Sequence, residues 1–319
     1  KDKIVEITKI QALIQIPSPI PFDYFKTMRF QANYRKRSGS DYFENGIYMK
    51  AMRIKGQPVI LEIRQSQESE SIELRIVSPS VFTEHHAAAE ALSQLLGFDL
   101  DLTEFDNFVK RDEVLNPLIG DLKGLRLTRT ATVYEALVSA IIGQQISAAV
   151  AGVIRENFLE RYGSPLVTRQ GTTLYVFPEP EVICKEGIDV LRTLKLSGKK
   201  AEYIYEISQR AALKELDYGV LCPLTNDEVI DQLTQIRGIG RWTAEWVLLR
   251  SLGRLDAIPS GDLALQRMVG TYYFGTDRVT EEELGAFALK YWAPFRGLIT
   301  LYLFAFLRES RERLLEAAN

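Results

Sequence analysis

Residues 233–267, LTQIRGIGRWTAEWVLLRSLGRLDAIPSGDLALQR, decide the fold. Leu233, Ile236, Ile239, Ala244, Val247 and Leu248 recur at helical intervals, so the stretch reads as two helices whose apolar faces pack together. Gly238 and Gly240 stand between them, where the chain turns sharply and no Cβ blocks an approach to the backbone. The amides of Gly238, Gly240 and Arg241 then open the second helix, where unpaired N–H groups and the helix dipole favour a phosphate oxygen. Thr243 adds a hydroxyl to that cradle. Further on, Pro259 ends regular structure, Ser260-Gly261 turn the chain, and helical spacing resumes at Leu263. Asp262 therefore starts a helix. An acid at that position either caps the free amides or presents a carboxylate to whatever the hairpin holds.

The pattern differs on either side of residue 80. From Ile4 to Ser78, GIYMKAMRI, PVILEIRQ and SIELRIVS alternate in polarity between Gly, Ser and Asn turns, which predicts antiparallel strands, with a helix over Phe22–Gln31. From Glu84 onward the spacing is helical through HHAAAEALSQLL, VYEALVSAIIG, SAAVAGVIRENFLERY, GIDVLRTL, KKAEYIYEISQRAAL and NDEVIDQLTQI, and LITLYLFAFLRE predicts a buried closing helix. The expected class is α+β, an N-terminal antiparallel-sheet domain followed by two mainly helical lobes.

LTQIRGIGRWTAEW followed by IPSGD resembles the helix-hairpin-helix (HhH-GPD) superfamily of DNA glycosylases, with its 3-methyladenine DNA glycosylase II (AlkA-type) branch nearest. ALVSAIIGQQISAAVAGVIRENFLERYG (136–163) resembles the helix and wedge loop of that family, and PFDYFKTMRF (21–30) the start of its N-terminal domain. The resemblance implies a TATA-binding-protein-like sheet in residues 1–80. It also implies a helical lobe from 81–118 and 232–319 that carries the hairpin and the acid, and a second lobe, 119–231, that carries the wedge. The helix near 84–97 is expected with the hairpin lobe.

Carried over residue by residue, the resemblance makes Asp262 the catalytic aspartate. Cutting an N-glycosidic bond puts positive charge on the sugar, and an ionised acid in a dry pocket stabilises that state. A helix N-terminus favours the anion. Bifunctional relatives carry a lysine nucleophile where this chain has Trp242, so the resemblance is to monofunctional enzymes that use water and leave an abasic site. Trp242 and Trp246 stand one helical turn apart and form an expected pocket wall, since an alkylated, cationic base is attracted to an aromatic face. Phe30 and Phe304 fall on further pocket positions of the family. Ala305 and Trp246 both replace a tyrosine of the family archetype, so the pocket lining is altered.

Reaching a base inside a duplex requires flipping it out and filling the gap. The family's wedge falls on Gln145, where the archetype has leucine, and Gln144 beside it is also a candidate DNA contact; an amide fills the gap and hydrogen-bonds the orphaned partner base. The resemblance further implies a monovalent cation (sodium or potassium) on the carbonyls of Thr234, Ile236 and Ile239. No cofactor is required. His85 and His86 are adjacent, only Cys184 and Cys222 are present, and no transition-metal set or four-cysteine iron–sulfur cluster is expected.

A net charge of −3 is unusual for a nucleic-acid binder. Gripping few phosphates through amides and a local patch of Arg237, Arg241, Arg250, Arg254 and Arg267 reconciles the two. No apolar run is long enough to cross a bilayer and no signal peptide is visible, so an intracellular monomer acting on double-stranded DNA with a damaged base is expected, with no membrane partner. A start at Lys1 reads as a trimmed chain. Two alternatives stay open: an oxidised- or deaminated-purine glycosylase on the same scaffold, and a non-catalytic damage-binding protein in which Asp262 only caps its helix.

Overall fold

The computed structural model describes residues 6–7, 9–32, 39–67 and 70–317. Its strands are β1 (Glu6–Ile7), β2 (Lys9–Pro17), β3 (Asp41–Glu44), β4 (Ile47–Ile54), β5 (Gln57–Gln65), β6 (Ser71–Ser78), β7 (Ser164–Val167) and β8 (Thr173–Val176). Strands β2 to β6 form one antiparallel sheet in the order β2-β6-β5-β4-β3. Asn45-Gly46 and Lys55-Gly56 have positive φ at both positions, the geometry that a tight two-residue hairpin demands. Strand alternation then sorts the side chains. Tyr48, Met52, Val59, Leu61, Ile63, Ile72, Leu74 and Ile76 form one core, and Met49, Ala51, Ile60 and Val77 face the other way.

Both faces of this sheet are covered. On one lie α1 (Tyr24–Ala32) and α2 (His85–Leu95), whose Tyr24, Met28, Ala88, Leu92 and Leu95 join the first core. On the other lie β7 and β8, through Leu166, Leu174 and Val176. One expectation changes here. Helix α2 serves the sheet and not the hairpin lobe, because its apolar stripe is buried against the strands. The second lobe is mainly helical, as expected, and carries one pair of short strands, β7 and β8; β1 from the N-terminal segment pairs parallel to β7 and completes a three-stranded sheet.

The helical body follows: α3 (Thr103–Arg111), α4 (Leu115–Ile119), α5 (Val133–Gly143), α6 (Ala148–Tyr162), α7 (Pro180–Glu186), α8 (Ile188–Arg192), α9 (Gly198–Ala212), α10 (Tyr218–Leu221), α11 (Asn226–Thr234), α12 (Arg241–Arg250), α13 (Leu263–Val269), α14 (Glu281–Tyr291) and α15 (Arg296–Ala317). One continuous apolar core unites it, running from Leu102 and Phe105 through Leu137, Ile204 and Leu233 to Leu265 and Ile299. Ser and Thr cap α5, α6, α9, α11 and α14, and the last two close full capping boxes with Glu228 and Glu283. Among the described residues, no helix is long and apolar enough to cross a membrane.

Candidate active site

Helices α11 and α12 form the hairpin, and its turn is held at Gly238, where φ is +85°. A Cβ there would stand 2.2 Å from Cδ2 of Tyr203, so the ring beneath the turn admits only glycine. Gly240 differs. Its φ is −92°, it caps α12, and a Cβ on it would meet nothing within 4 Å. The protein itself does not need glycine at 240. What the missing side chain leaves is open space in front of the first-turn amides of α12, the place where an anion would approach.

The loop after α12 is pinned at both ends. Arg296 grips Asp256 through two bonds of 2.8 and 2.7 Å, and the amides of Gly297 and Leu298 donate to the Leu255 carbonyl. Past Pro259, the buried Gln266 donates to the Ser260 carbonyl and the Asp262 amide donates to that of Pro259. Asp262 is thereby set at the head of α13. Its Oδ1 accepts from the amides of Ala264 (2.9 Å) and Leu265 (3.2 Å), and its Oδ2 accepts from Trp242 Nε1 at 2.9 Å. The carboxylate caps its helix with one oxygen and offers the other to an indole that is 43% exposed. Its three donors are neutral, and among the described residues no cation pairs with it. A negative charge fixed by amides yet not neutralised by a cation is what an oxocarbenium-like sugar would require.

Behind Trp242 the aromatic series continues inward. Trp242 meets Trp246 edge-on at 6.1 Å, and Trp246 meets Phe304 edge-on at 5.4 Å. The Nε1 of Trp246 is buried with no acceptor among the described residues, an unpaired donor inside the series. Arg308, one turn after Phe304, lies over the Phe30 ring at 5.0 Å and donates to its carbonyl. Phe30, Arg308 and Arg250 line a cavity of about 270 Å³ with Lys50, Arg129 and Arg155. Another cleft, about 730 Å³, is lined by Arg53, Tyr134, Phe177 and Tyr218 among others and contains none of the candidate residues.

Three expectations for DNA contacts are corrected. Thr243 is only 3% exposed, because it lies on the same face of α12 as Val247, so its hydroxyl cannot reach a strand from there. The Gln144 side chain does not project; it donates to the Gly238 carbonyl at 2.9 Å. The arginine patch shrinks too. Arg254 is committed to the carbonyls of Cys222 and Leu224, and Arg250 is drawn below its ordinary pKa by burial, with Arg308 adding to the effect. Arg237 and Arg241 are well exposed but paired to Glu206 and Glu245, and Arg267 is exposed on α13. Gln145 is exposed, and it sits at φ +57°.

Glu245 is a titrating group that the sequence pattern did not reveal. It is buried on α12, and burial pushes its carboxyl up to about 7 against the pull of Arg241 at 2.9 Å, with Glu281 adding to the rise. An unfolded chain gives up this proton near the ordinary 4.5, while the folded protein keeps it to about 7. The folded state is favoured below the lower value and loses that advantage as pH rises through the upper one. Glu245→Gln is therefore expected to melt like the parent below pH 4.5 and above it in temperature at pH 8. A melting difference that stays constant across that range would show that Glu245 does not titrate in this way.

Residues 138–294 match the family profile described as HhH-GPD superfamily base excision DNA repair protein, and residues 14–132 match the AlkA N-terminal domain. A DNA-3-methyladenine glycosylase of Bacillus subtilis (strain 168) is 32% identical over 212 residues, 66% of this chain and 69% of that protein. DNA-3-methyladenine glycosylase 1 of Schizosaccharomyces pombe is 30% identical over 224 residues, 67% of this chain and 88% of that one. A putative DNA-3-methyladenine glycosylase of the same Bacillus strain is matched over 66% of its length. Among solved structures, a 3-methyladenine DNA glycosylase from Archaeoglobus fulgidus superposes with a TM-score of 0.79 at 30% identity, covering 92% of this chain and 98% of that one.

Proposed function

We propose, because this chain belongs to the HhH-GPD superfamily of base excision DNA repair proteins, that it removes alkylated purines from double-stranded DNA as a monofunctional glycosylase. The observation that carries the reading is the Asp262 carboxylate, capping α13 with one oxygen and meeting the exposed Trp242 indole with the other at the head of an aromatic series. A purine methylated at N3 or N7 is cationic, and each aromatic face attracts it by roughly 0.5–2 kcal/mol. The bond between C1′ and the base nitrogen breaks, its electron pair leaves with the base, and the carboxylate stabilises the positive sugar. Water then bonds to C1′ and loses a proton to bulk solvent, leaving a neutral abasic sugar. Trp242 has no amine to attack the sugar, which supports water as the nucleophile and an unbroken strand as the product.

The hairpin amides would hold the strand by a phosphate, and Gln145 would fill the gap left by the flipped nucleotide. The carbonyls of Thr234, Ile236 and Ile239 would hold a monovalent cation. Three neutral oxygens suit such an ion, and the Ile236 carbonyl, which already accepts from the Ile239 amide at 3.1 Å, keeps a second lone pair. When bound, the cation supplies positive charge beside the phosphate.

A panel of duplexes, each with one modified base, tests the reading. Alkali-labile sites are expected at 3-methyladenine and 7-methylguanine, and strand breaks without alkali would refute the water mechanism. The unpaired Trp246 N–H favours a second, narrower reading in which deaminated purines, whose carbonyl accepts a hydrogen bond, are also released. Trp246→Phe is then expected to lower release of hypoxanthine more than that of 7-methylguanine; an equal loss on both would remove this donor from base selection.

A further inference from the structure

Helix α9 lies beside both the wedge loop and the hairpin and carries no residue of the proposed chemistry, yet three side chains on one of its faces hold the two together. Lys200, Tyr203 and Glu206 follow one another at intervals of three residues and so share a face. At one end, Lys200 Nζ donates to the carbonyls of Ile142 and Gln144, 2.9 and 2.7 Å away. Those carbonyls end α5, where a cation also meets the negative end of the helix dipole. In the middle, the Tyr203 ring fills the space beneath Gly238. At the other end, Glu206 accepts from Arg237 Nε at 2.8 Å, next to the hairpin turn. A direct link closes the circuit, since Gln144 Nε2 donates to the Gly238 carbonyl.

The residue this arrangement surrounds is Gln145. A φ of +57° is disfavoured for any residue bearing a side chain and persists only where the neighbours enforce it. The Gln144 carbonyl before it is held by Lys200, and Ser147 after it caps α6 by accepting from the Val150 amide. Lys200 is half-buried, and burial draws its pKa down, as for an ammonium withdrawn from water onto fixed acceptors.

Resting on the glycosylase reading above, we propose that the Lys200–Tyr203–Glu206 face of α9 is a positioning element that locks the wedge loop to the strand-gripping hairpin, with Lys200 as its anchor. Gripping a phosphate at the hairpin then fixes the depth and angle at which Gln145 enters the duplex. Lys200 touches no reacting atom; it acts through the Gln144 carbonyl. The consequence falls on flipping alone, because a base already out of a stack needs no wedge.

The experiment compares release of 7-methylguanine from a paired duplex and from the same strand alone, for the parent protein, Lys200→Met and Lys200→Arg. Losing two charge-assisted bonds is expected to lower duplex release by about tenfold or more in Lys200→Met. Single-strand release is expected to stay within about threefold, and Lys200→Arg, which keeps two donors, is expected to restore the duplex rate. A second readout does not depend on catalysis: 2-aminopurine placed beside an abasic analogue brightens when the parent unstacks it, and Lys200→Met is expected to bind that duplex without the brightening. Tyr203→Leu, in the middle of the same face, is the second variant and is expected to give the same duplex-specific loss. Equal losses on duplex and single strand, or full brightening in both variants, would overturn the proposal. A parent protein that brightens 2-aminopurine but releases no base from any substrate would instead refute the glycosylase reading and leave the positioning role standing.

Discussion

Release of 7-methylguanine from a duplex is expected to fall by about a thousandfold or more when Asp262 becomes asparagine. The substitution separates the two jobs of this side chain. Asparagine keeps an oxygen for the amides of Ala264 and Leu265, so the cap of α13 survives and melting should change little. The second oxygen becomes an NH2 group facing Trp242 Nε1, and two donors then meet where a donor met a carboxylate. The charge at the sugar and the alignment of the indole are both lost. Binding to a duplex with an abasic analogue is expected to persist, since the hairpin amides are untouched. Asp262→Ala would also remove the cap, at a cost of about 1 kcal/mol, and serves as the measure of what the cap alone contributes. Release unchanged in Asp262→Asn would leave Asp262 as a helix cap and nothing more.

The parts of this site that lie close together in sequence were legible there. The hairpin, the turn at Pro259 and the acid at 262 all depend on local spacing and on residues with strong backbone preferences. Trp242 and Trp246 sit one turn apart, and their edge-on contact follows from that. The burial of Thr243 has a signal in the sequence, since it lies four residues before Val247 and shares the stripe that faces the core. Lys200 gave no signal at all: its acceptors are backbone carbonyls 56 and 58 residues away, and a carbonyl has no sequence signature. The stripe of Ala88, Leu92 and Leu95 announced a buried face but not which core would bury it. Strands β7 and β8 are four residues each, and Pro165 in the first weakens the strand pattern, so pairing across the sheet stacks them where propensity alone would not.

The two glycines of the hairpin turn are expected to differ in stability when changed to alanine, and the contrast tests the strand grip itself. At Gly238 the backbone is left-handed and a methyl group would lie 2.2 Å from the Tyr203 ring. The ring cannot withdraw freely because it packs on the helical core, so Gly238→Ala is expected to destabilise the protein by about 2–4 kcal/mol and to weaken DNA binding with it. At Gly240 the backbone is ordinary and the methyl group meets no protein atom, so Gly240→Ala is expected to fold normally, costing the helix cap only about a few tenths to 1 kcal/mol. Its methyl group would nevertheless stand in the approach to the first-turn amides of α12. A fall of about tenfold or more in affinity for an abasic-analogue duplex, at unchanged thermal stability, is the expected result. Melting curves and fluorescence anisotropy measure the two halves separately. If Gly240→Ala binds the duplex as tightly as the parent, no phosphate comes to those amides, and the strand must be held elsewhere, on the exposed Arg237, Arg241 or Arg267.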